Sequence, residues 1–322
     1  MVDLDSPFHA KRAALIYNPV ARTLSRRRHL LQRTIQALAR QGIQATLVGT
    51  TAPGTAGMQV RHQIEAGCDL IIAAGGDGTI NEVASGMLHT NVPLAILPCG
   101  TANVLAREMR LPLHMESAAA RLSSLKPARI ATGRIKLTEA PTRPFLCMAG
   151  AGLDAEIVSH LNLDLKALLG KFAYYLSGFA QVLRPLSEFE VLVDNQRFTA
   201  SFALISRVRN YGGDLEIARG ASLLRDDFEV VLFRGTQSVH YLPYLAGVVL
   251  GQTQRIKGVT VIRGRSITCR PPERQDVFAQ VDGELVGKLP ITAEIVPDAL
   301  TLLVPPQFLA REQSLVAVPV CA

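Results

Sequence analysis

The stretch Leu70-Ile71-Ile72-Ala73-Ala74-Gly75-Gly76-Asp77-Gly78-Thr79-Ile80-Asn81-Glu82-Val83 decides how this chain is read. Its first five residues are apolar with no polar alternation, the pattern of a strand buried on both faces. Three glycines and an aspartate follow within four residues, and then Ile80, Val83, Ala84 and Met87 recur at helical spacing. The pattern predicts a strand, a glycine-rich turn, and a helix opening at Gly78 or Thr79. Such a turn can seat phosphate, because glycine lets the backbone approach a ligand and the first N–H groups of a helix point outward. Asp77 stands apart: a carboxylate beside phosphates is repulsive unless a cation lies between them. It reads as a partner for a metal or for a nucleotide sugar. A glycine-rich connection also joins many strands to helices with no ligand at all, so this turn alone does not fix a function.

Working outward, Ala13 to Tyr17 reads as a first buried strand ended by Asn18-Pro19. Arg26 to Arg40 reads as an amphipathic helix with Leu30, Leu31, Ile35 and Leu38 on one face, its Arg26-Arg27-Arg28 end solvated. Ala45–Val48 is a strand, Thr50 to Gly54 a loop, and 54–66 a helix leading to the central strand. After the helix at 79–88, Val92–Leu97 is another strand, ended by Pro98-Cys99-Gly100-Thr101-Ala102-Asn103 and a helix to about Met109. Two strand–turn–helix units about 22 residues apart would open on one crevice at the carboxyl ends of neighbouring parallel strands. Together they say far more than either does alone.

Composition sets the outer bounds. At 322 residues two domains are expected, and 48% hydrophobic residues supply ordinary cores. Lys+Arg number 34 against 27 Asp+Glu, a formal charge of +7 that suits an anionic partner. Aromatics are 5% and Trp is absent, which argues against base stacking and hence against nucleic acid. The five cysteines are scattered without paired spacing, as reduced, mostly buried thiols of a cytoplasmic protein would be. Met1 to Lys11 lacks the apolar core of a signal peptide, and no run of about 18 apolar residues is present.

Near Gly133 the texture changes. Segments 129–137, 144–148, 189–193, 198–208, 228–233, 258–262, 266–270, 277–281 and 291–296 read as short strands, most of them alternating, as in an antiparallel sheet or sandwich. Two helical stretches, about 163–184 and 236–250, interrupt them. The fold class expected is therefore α/β plus β. A nucleotide-binding α/β domain over 1–133 is expected, to which 303–322 is able to return, with a β-rich domain over 134–302. In that second half Gln280-Val281-Asp282-Gly283-Glu284 places two carboxylates at a strand end. Asp-Gly is also the signature of a hairpin turn, with Glu284 simply solvated. The functional alternative is a general base aimed across an interdomain cleft.

Gly75–Glu82, Gly100-Thr101-Ala102-Asn103 and Asp282-Gly283-Glu284 together resemble the diacylglycerol kinase catalytic-domain superfamily, most closely its bacterial lipid kinases. Asn18-Pro19, Ala149–Ala155 and Gly170–Tyr174 are lesser matches, and the resemblance runs from about Ala13 to Pro305. It implies a Rossmann-like first domain of phosphofructokinase or NAD kinase type and a β-sandwich carrying the lipid site. It implies ATP and Mg2+ as cofactors, with ATP in the cleft between the domains. Gly75, Gly76, Asp77, Gly78, Thr79, Ile80 and Asn81 would bind ATP with Gly100, Thr101 and Asn103, and Asn18 and Thr50 are additions. Asp282 or Glu284 would take the proton from the lipid hydroxyl, Asp77, Asp282 and Glu284 being the acidic groups of catalysis. The partner implied is a lipid at a membrane surface, with Leu161–Leu169 beside Lys166 and Lys171 compatible with docking at the inner face. Edge strands in the β-rich half offer a route to a homodimer.

The chain also departs from the family pattern. No glycine follows Asn18-Pro19, and Asn103-Val104 stands where many members have Asn-Asp. Bacterial members bind a structural Mg2+ through a loop of the form Ala-x-x-x-Asp-Gly. Here Ala221-Ser222-Leu223-Leu224-Arg225-Asp226-Asp227 puts Arg225 at the aspartate's place. Either Asp226 substitutes after a one-residue shift, or a guanidinium replaces the metal. The activity expected is ATP-dependent phosphorylation of a hydroxyl on diacylglycerol, a sphingoid base or a related lipid. A catalytically silent nucleotide- or lipid-binding regulator and a kinase for a soluble acceptor such as NAD are the alternatives.

Overall fold

A computed structural model describes residues 10–21, 24, 29–138, 141–153, 155, 186–212, 215–236, 256–273 and 275–316. The Arg26-Arg27-Arg28 cluster, Asp154, the helix expected at 163–184, the 237–250 part of the second, and the segment with Lys166 and Lys171 lie outside the described residues. The chain forms two compact units, Met1–Ala131 with Pro297–Ala322, and Thr132–Val296.

In the first unit β1 (Arg12–Tyr17), α1 (His29–Ala39), β2 (Gln44–Gly49), α2 (Ala56–Glu65), β3 (Leu70–Gly75), α3 (Asp77–Met87) and β4 (Leu94–Pro98) alternate as βα units. Two short helices follow, α4 (Val104–Glu108) and α5 (Met115–Ala119). The parallel sheet runs β2-β1-β3-β4, and the strand ending at Val304 joins it beside β4, Leu302 opposite Leu94. Every residue of β3 and β4 is buried, which is why their sequences show no alternation. The last helix, α6 (Pro306–Val316), seats Arg311 on Glu108 (3.3 Å) and Glu312 (3.1 Å), both carboxylates buried.

Two glycines explain the close packing of α2 on α3. A Cβ at Gly86 would collide with the backbone of Gly57, so only hydrogen at this position lets the helices approach so closely.

The second unit is built on antiparallel strands. It takes in the later part of β5 (Lys126–Leu137), β6 (Arg143–Phe145), β7 (Met148–Gly152), β8 (Phe189–Val193), β9 (Gln196–Ala200) and β10 (Phe202–Ser206). The short pair β11 (Asn210–Tyr211) and β12 (Leu215–Glu216) follows, then β13 (Phe228–Phe233), β14 (Val259–Gly264) and β15 (Ser266–Arg270). It ends with β16 (Phe278–Val281), β17 (Glu284–Lys288) and the first part of β18 (Ile291–Val304). One sheet is ordered β14-β13-β10-β7-β16-β17; in the other, β18-β15-β8-β9 run side by side, with β5 pairing β18 and β6. Ile135, Phe145, Phe189 and Val191 of one sheet pack with Ala151, Ile205, Phe228 and Val230 of the other in one core, which makes a sandwich. Phe145 stacks on Phe228 at 5.7 Å between centroids. Opposite Phe145 is Gly133, where a Cβ would enter the ring.

Several details differ from the sequence expectation. Segment 144–148 is not one strand, since β6 ends at Phe145 and β7 starts at Met148. Segment 198–208 divides at Ser201, whose N–H donates to Phe233 O (2.8 Å). The Glu284–Lys288 strand and helix α5 were not anticipated. The helix after the first glycine turn begins at Asp77, one residue earlier than expected.

Candidate active site

In the first unit the parallel register brings the candidate loops to one edge. Gly75 lies opposite Pro98, Tyr17 opposite both Ala74 and Gly49, so residues 18, 50, 76–79 and 99–103 all leave the carboxyl ends of adjacent strands. Thr50 N–H donates to Tyr17 O (2.9 Å) and Cys99 N–H to Gly75 O (2.9 Å), extending the ladder into the loops. Asn18 closes its own turn, its Oδ1 accepting from Val20 N–H at 3.0 Å.

The two glycine turns touch. A Cβ on Gly100 would lie 2.6 Å from Gly76 Cα, and one on Gly75 would lie 2.5 Å from Thr79 Cβ. Helix α3 has Gly76 at its N-cap, and its first helical bond is Ile80 N–H to Gly76 O (3.0 Å). The N–H groups of Gly78 and Thr79 therefore precede the ladder and remain donors for an anion. Asn81 and Thr79 are half-buried on this first turn, and Ile80 is buried beneath it.

Asp77 does not simply face outward. Its Oδ1 accepts from Val104 N–H at 2.8 Å, tying the first turn to the start of α4. Burial raises its pKa above the ordinary carboxylate value, against the lowering effect of the surrounding backbone N–H groups. Asn103 adopts a left-handed conformation (φ 49°), its Oδ1 accepting from Gly100 N–H and its Nδ2 donating to Gly100 O, each at 2.8 Å. Asn103 is thus the brace of the second turn. Thr101 at its tip is exposed.

Beside this turn a cavity of about 530 Å3 is lined by His29, Arg33, Cys99, Gly100, His114 and Glu116 among others. Arg33 and Glu116 approach to 3.6 Å. Of these only Gly100 was legible as a candidate; Arg33 reads in sequence as a member of a solvated helix face. The Cys99 thiol is pushed up to about 12 by burial and stays protonated at neutral pH. All four described cysteines are buried.

In the second unit Asp282 and Gly283 are the two turn residues of the β16–β17 hairpin, with φ of 47° and 82°. That is the left-handed pair a two-residue hairpin turn requires. The Asp282 carboxylate accepts from three backbone donors: Leu146 N–H (3.1 Å), Cys147 N–H (3.0 Å) and Met148 N–H (2.9 Å). Its own N–H donates to Met148 O (2.9 Å), and Gly283 N–H donates to Gln280 Oε1 (2.8 Å). Glu284, by contrast, is exposed and pairs with Arg143 at 2.9 Å. Arg143 carries no signal in the sequence; only the β5–β6 hairpin brings it to Glu284. Asp282 spends both carboxylate oxygens on backbone N–H donors, while Glu284 is open to solvent and holds one cation.

Comparison with known proteins agrees with this architecture. Residues 12–135 match the diacylglycerol kinase catalytic domain, and residues 147–304 match the YegS C-terminal NAD kinase beta sandwich-like domain. The chain belongs to the diacylglycerol kinase catalytic-domain superfamily. Relatives of that family include a diacylglycerol kinase of Bacillus subtilis (strain 168), 29% identical over 286 residues, 87% of this chain and 92% of that protein. Another, from Staphylococcus saprophyticus, is 28% identical over 87% of this chain and 91% of its own length. A crystal structure from Bacillus anthracis str. Sterne superposes with a TM-score of 0.79 at 21% identity, over 96% of this chain and 100% of that one. A second, of a diacylglycerol kinase from the same strain, gives 0.75 at 21% identity over 93% and 99%. At such identities the superpositions speak to the fold. Family membership makes the protein a kinase with an alcohol group as acceptor, of the lipid-kinase class, and ATP its phosphoryl donor. Among the described residues no helix is long and apolar enough to cross a membrane.

Proposed function

We propose that the protein transfers the γ-phosphate of ATP to a hydroxyl of diacylglycerol, a sphingoid base or a related membrane lipid. The observation that carries the reading is the fused pair of glycine turns, Gly75–Thr79 and Gly100–Asn103, braced by Asp77 and Asn103 at one sheet edge. Phosphoryl transfer asks a protein mainly for positioned phosphates, neutralised charge and an oriented acceptor. The N–H groups of Gly78 and Thr79 receive phosphate oxygens, and the exposed hydroxyl of Thr101 adds a donor. Asn18 and Thr50, at the next strand ends, are placed to meet the rest of the nucleotide.

A carboxylate with hard oxygens suits Mg2+, which keeps several waters and takes other ligands from the phosphates. Asp77 is the residue that would hold it, and the ion would neutralise charge developing on the transferred group. Glu284 is the general base, accepting the proton of the lipid hydroxyl, and Arg143 orients its carboxylate. Asp282 acts on Glu284 from below, by fixing the hairpin that presents it. The +7 charge of the chain favours an anionic bilayer as the source of the lipid.

The test is transfer of radiolabelled phosphate from ATP to diacylglycerol, monoacylglycerol and sphingoid bases in mixed micelles, with NAD as a soluble acceptor. Label in a lipid, lost in Glu284→Gln, is the expected outcome. Label in NAD alone, or none in any lipid from a protein that binds ATP, would end the proposal.

A further inference from the structure

Arg207 is fully buried in the second unit, just past the end of β10. Its guanidinium donates to the carbonyl oxygens of Leu223 (Nη2, 2.7 Å), Arg225 (Nη1) and Asp227 (Nη1, 3.0 Å). Three carbonyls from alternate residues of one loop thus converge on a single cation. Converging carbonyls are how a loop binds a hard metal ion, and this is the loop in which the family resemblance implied a structural Mg2+.

The residues present do not fit that ion. Arg225, at the position of the expected aspartate, folds back onto Asp227 through Nε (3.1 Å) and Nη2 (3.0 Å). Asp227 is further held by Arg263 Nη1 at 2.9 Å, and Arg263 Nη2 donates to Gly220 O. Asp226 is exposed, so the one-residue shift does not bring a carboxylate inward. Among the described residues no cluster of His, Cys, Asp or Glu has the arrangement of a metal site. A divalent ion would have to enter beside three guanidinium groups.

We infer that Arg207 supplies from within the chain the positive charge that an ion would bring to the 221–227 loop, so this unit folds without a structural metal. The guanidinium expected to replace the metal is present, but it comes from Arg207 and not from Arg225. Burial lowers the Arg207 pKa to about 10, opposed by Asp227 and Asp226, so the group is still charged at neutral pH. A planar fork with five donors satisfies several carbonyls at once, which lysine's single ammonium does less well.

The experiment reads stability and so stands apart from the kinase reading. The full-length protein, free of ATP and lipid, is melted in excess EDTA and in excess Mg2+. A structural site saturated at 100 times its Kd would raise Tm by roughly 5–10 °C. The inference expects no such rise in the wild type. It also expects one in Arg207→Ala/Arg225→Asp, which empties the ring of carbonyls and restores a carboxylate. A wild-type rise abolished by Asp226→Asn or Asp227→Asn would overturn it, as would a folded double variant indifferent to Mg2+. If the double variant does not fold, the wild-type melts still decide the matter.

Discussion

The Val104 N–H donates to Asp77 Oδ1 at 2.8 Å, joining two turns that lie 27 residues apart in the chain. One carboxylate therefore braces both glycine turns, and in the proposed reaction it would also face the phosphates held there. Burial is the larger influence on it, and it holds the folded pKa above the unfolded value of 3.8. The sign follows. A raised carboxyl pKa stabilises the fold fully below about pH 3.8 and loses that contribution as pH rises through the folded value. Asp77→Asn keeps an acceptor for Val104 without the charge. The stability of wild type minus that of Asp77→Asn should fall as pH rises above the unfolded value of 3.8, as read by urea midpoints. A difference that grows with pH would mean the turn amides outweigh burial.

Glu284 and Asp282 should separate cleanly. Glu284→Gln should melt like the wild type, because an ion pair this exposed contributes about 0.2–1 kcal/mol. Its turnover should fall by about 10²–10⁴-fold. Asp282→Ala removes the acceptor for three backbone donors and should lower stability by about 1–3 kcal/mol as well as activity. A stable, inactive Asp282→Asn together with an active Glu284→Gln would reverse the assignment.

Gly100→Ala should damage nucleotide binding without touching a nucleotide. The new Cβ would lie 2.6 Å from Gly76 Cα, so backbone must move. Forcing the turns apart should cost about 1–3 kcal/mol, and ATP affinity should drop about tenfold or more by calorimetry. Unchanged affinity would show that the two turns do not form one seat.

Helix α6 should be integral to the first unit. Arg311→Met withdraws the cation facing Glu108 and Glu312, whose side chains are 2% and 0% exposed. The expected loss is about 3–5 kcal/mol in denaturant unfolding. A loss below about 1 kcal/mol would mean that these carboxylates are otherwise satisfied.

How much of this was legible follows from where each constraint originates. Leu70–Gly75 and Leu94–Pro98 are buried on both faces, so local composition alone marks them as strands, and their glycine turns follow. The break between β6 and β7 cannot be read locally. Phe145-Leu146-Cys147-Met148 is uniformly apolar, and what ends the ladder there is Asp282, more than 130 residues away. Arg207 follows the apolar run Phe202–Ile205 closely, and its task is visible only once the loop folds around it. Helix α5, at five residues, is too short for periodicity to register. Chemistry within one turn is written in order along the chain; partners recruited from distant hairpins, such as Arg143 for Glu284, are not.

The contact of Gly76 with Gly100, with Asp77 and Asn103 locking the turns on either side, bears on what happens when a ligand arrives. Loops of this kind usually stiffen only around their guest, and that loss of freedom is subtracted from affinity. Here the bracing bonds of Asp77 and Asn103 belong to the fold itself. Recognition of the triphosphate should then resemble a key entering a finished lock, leaving amide hydrogen exchange in residues 76–80 and 100–104 already slow in the empty protein.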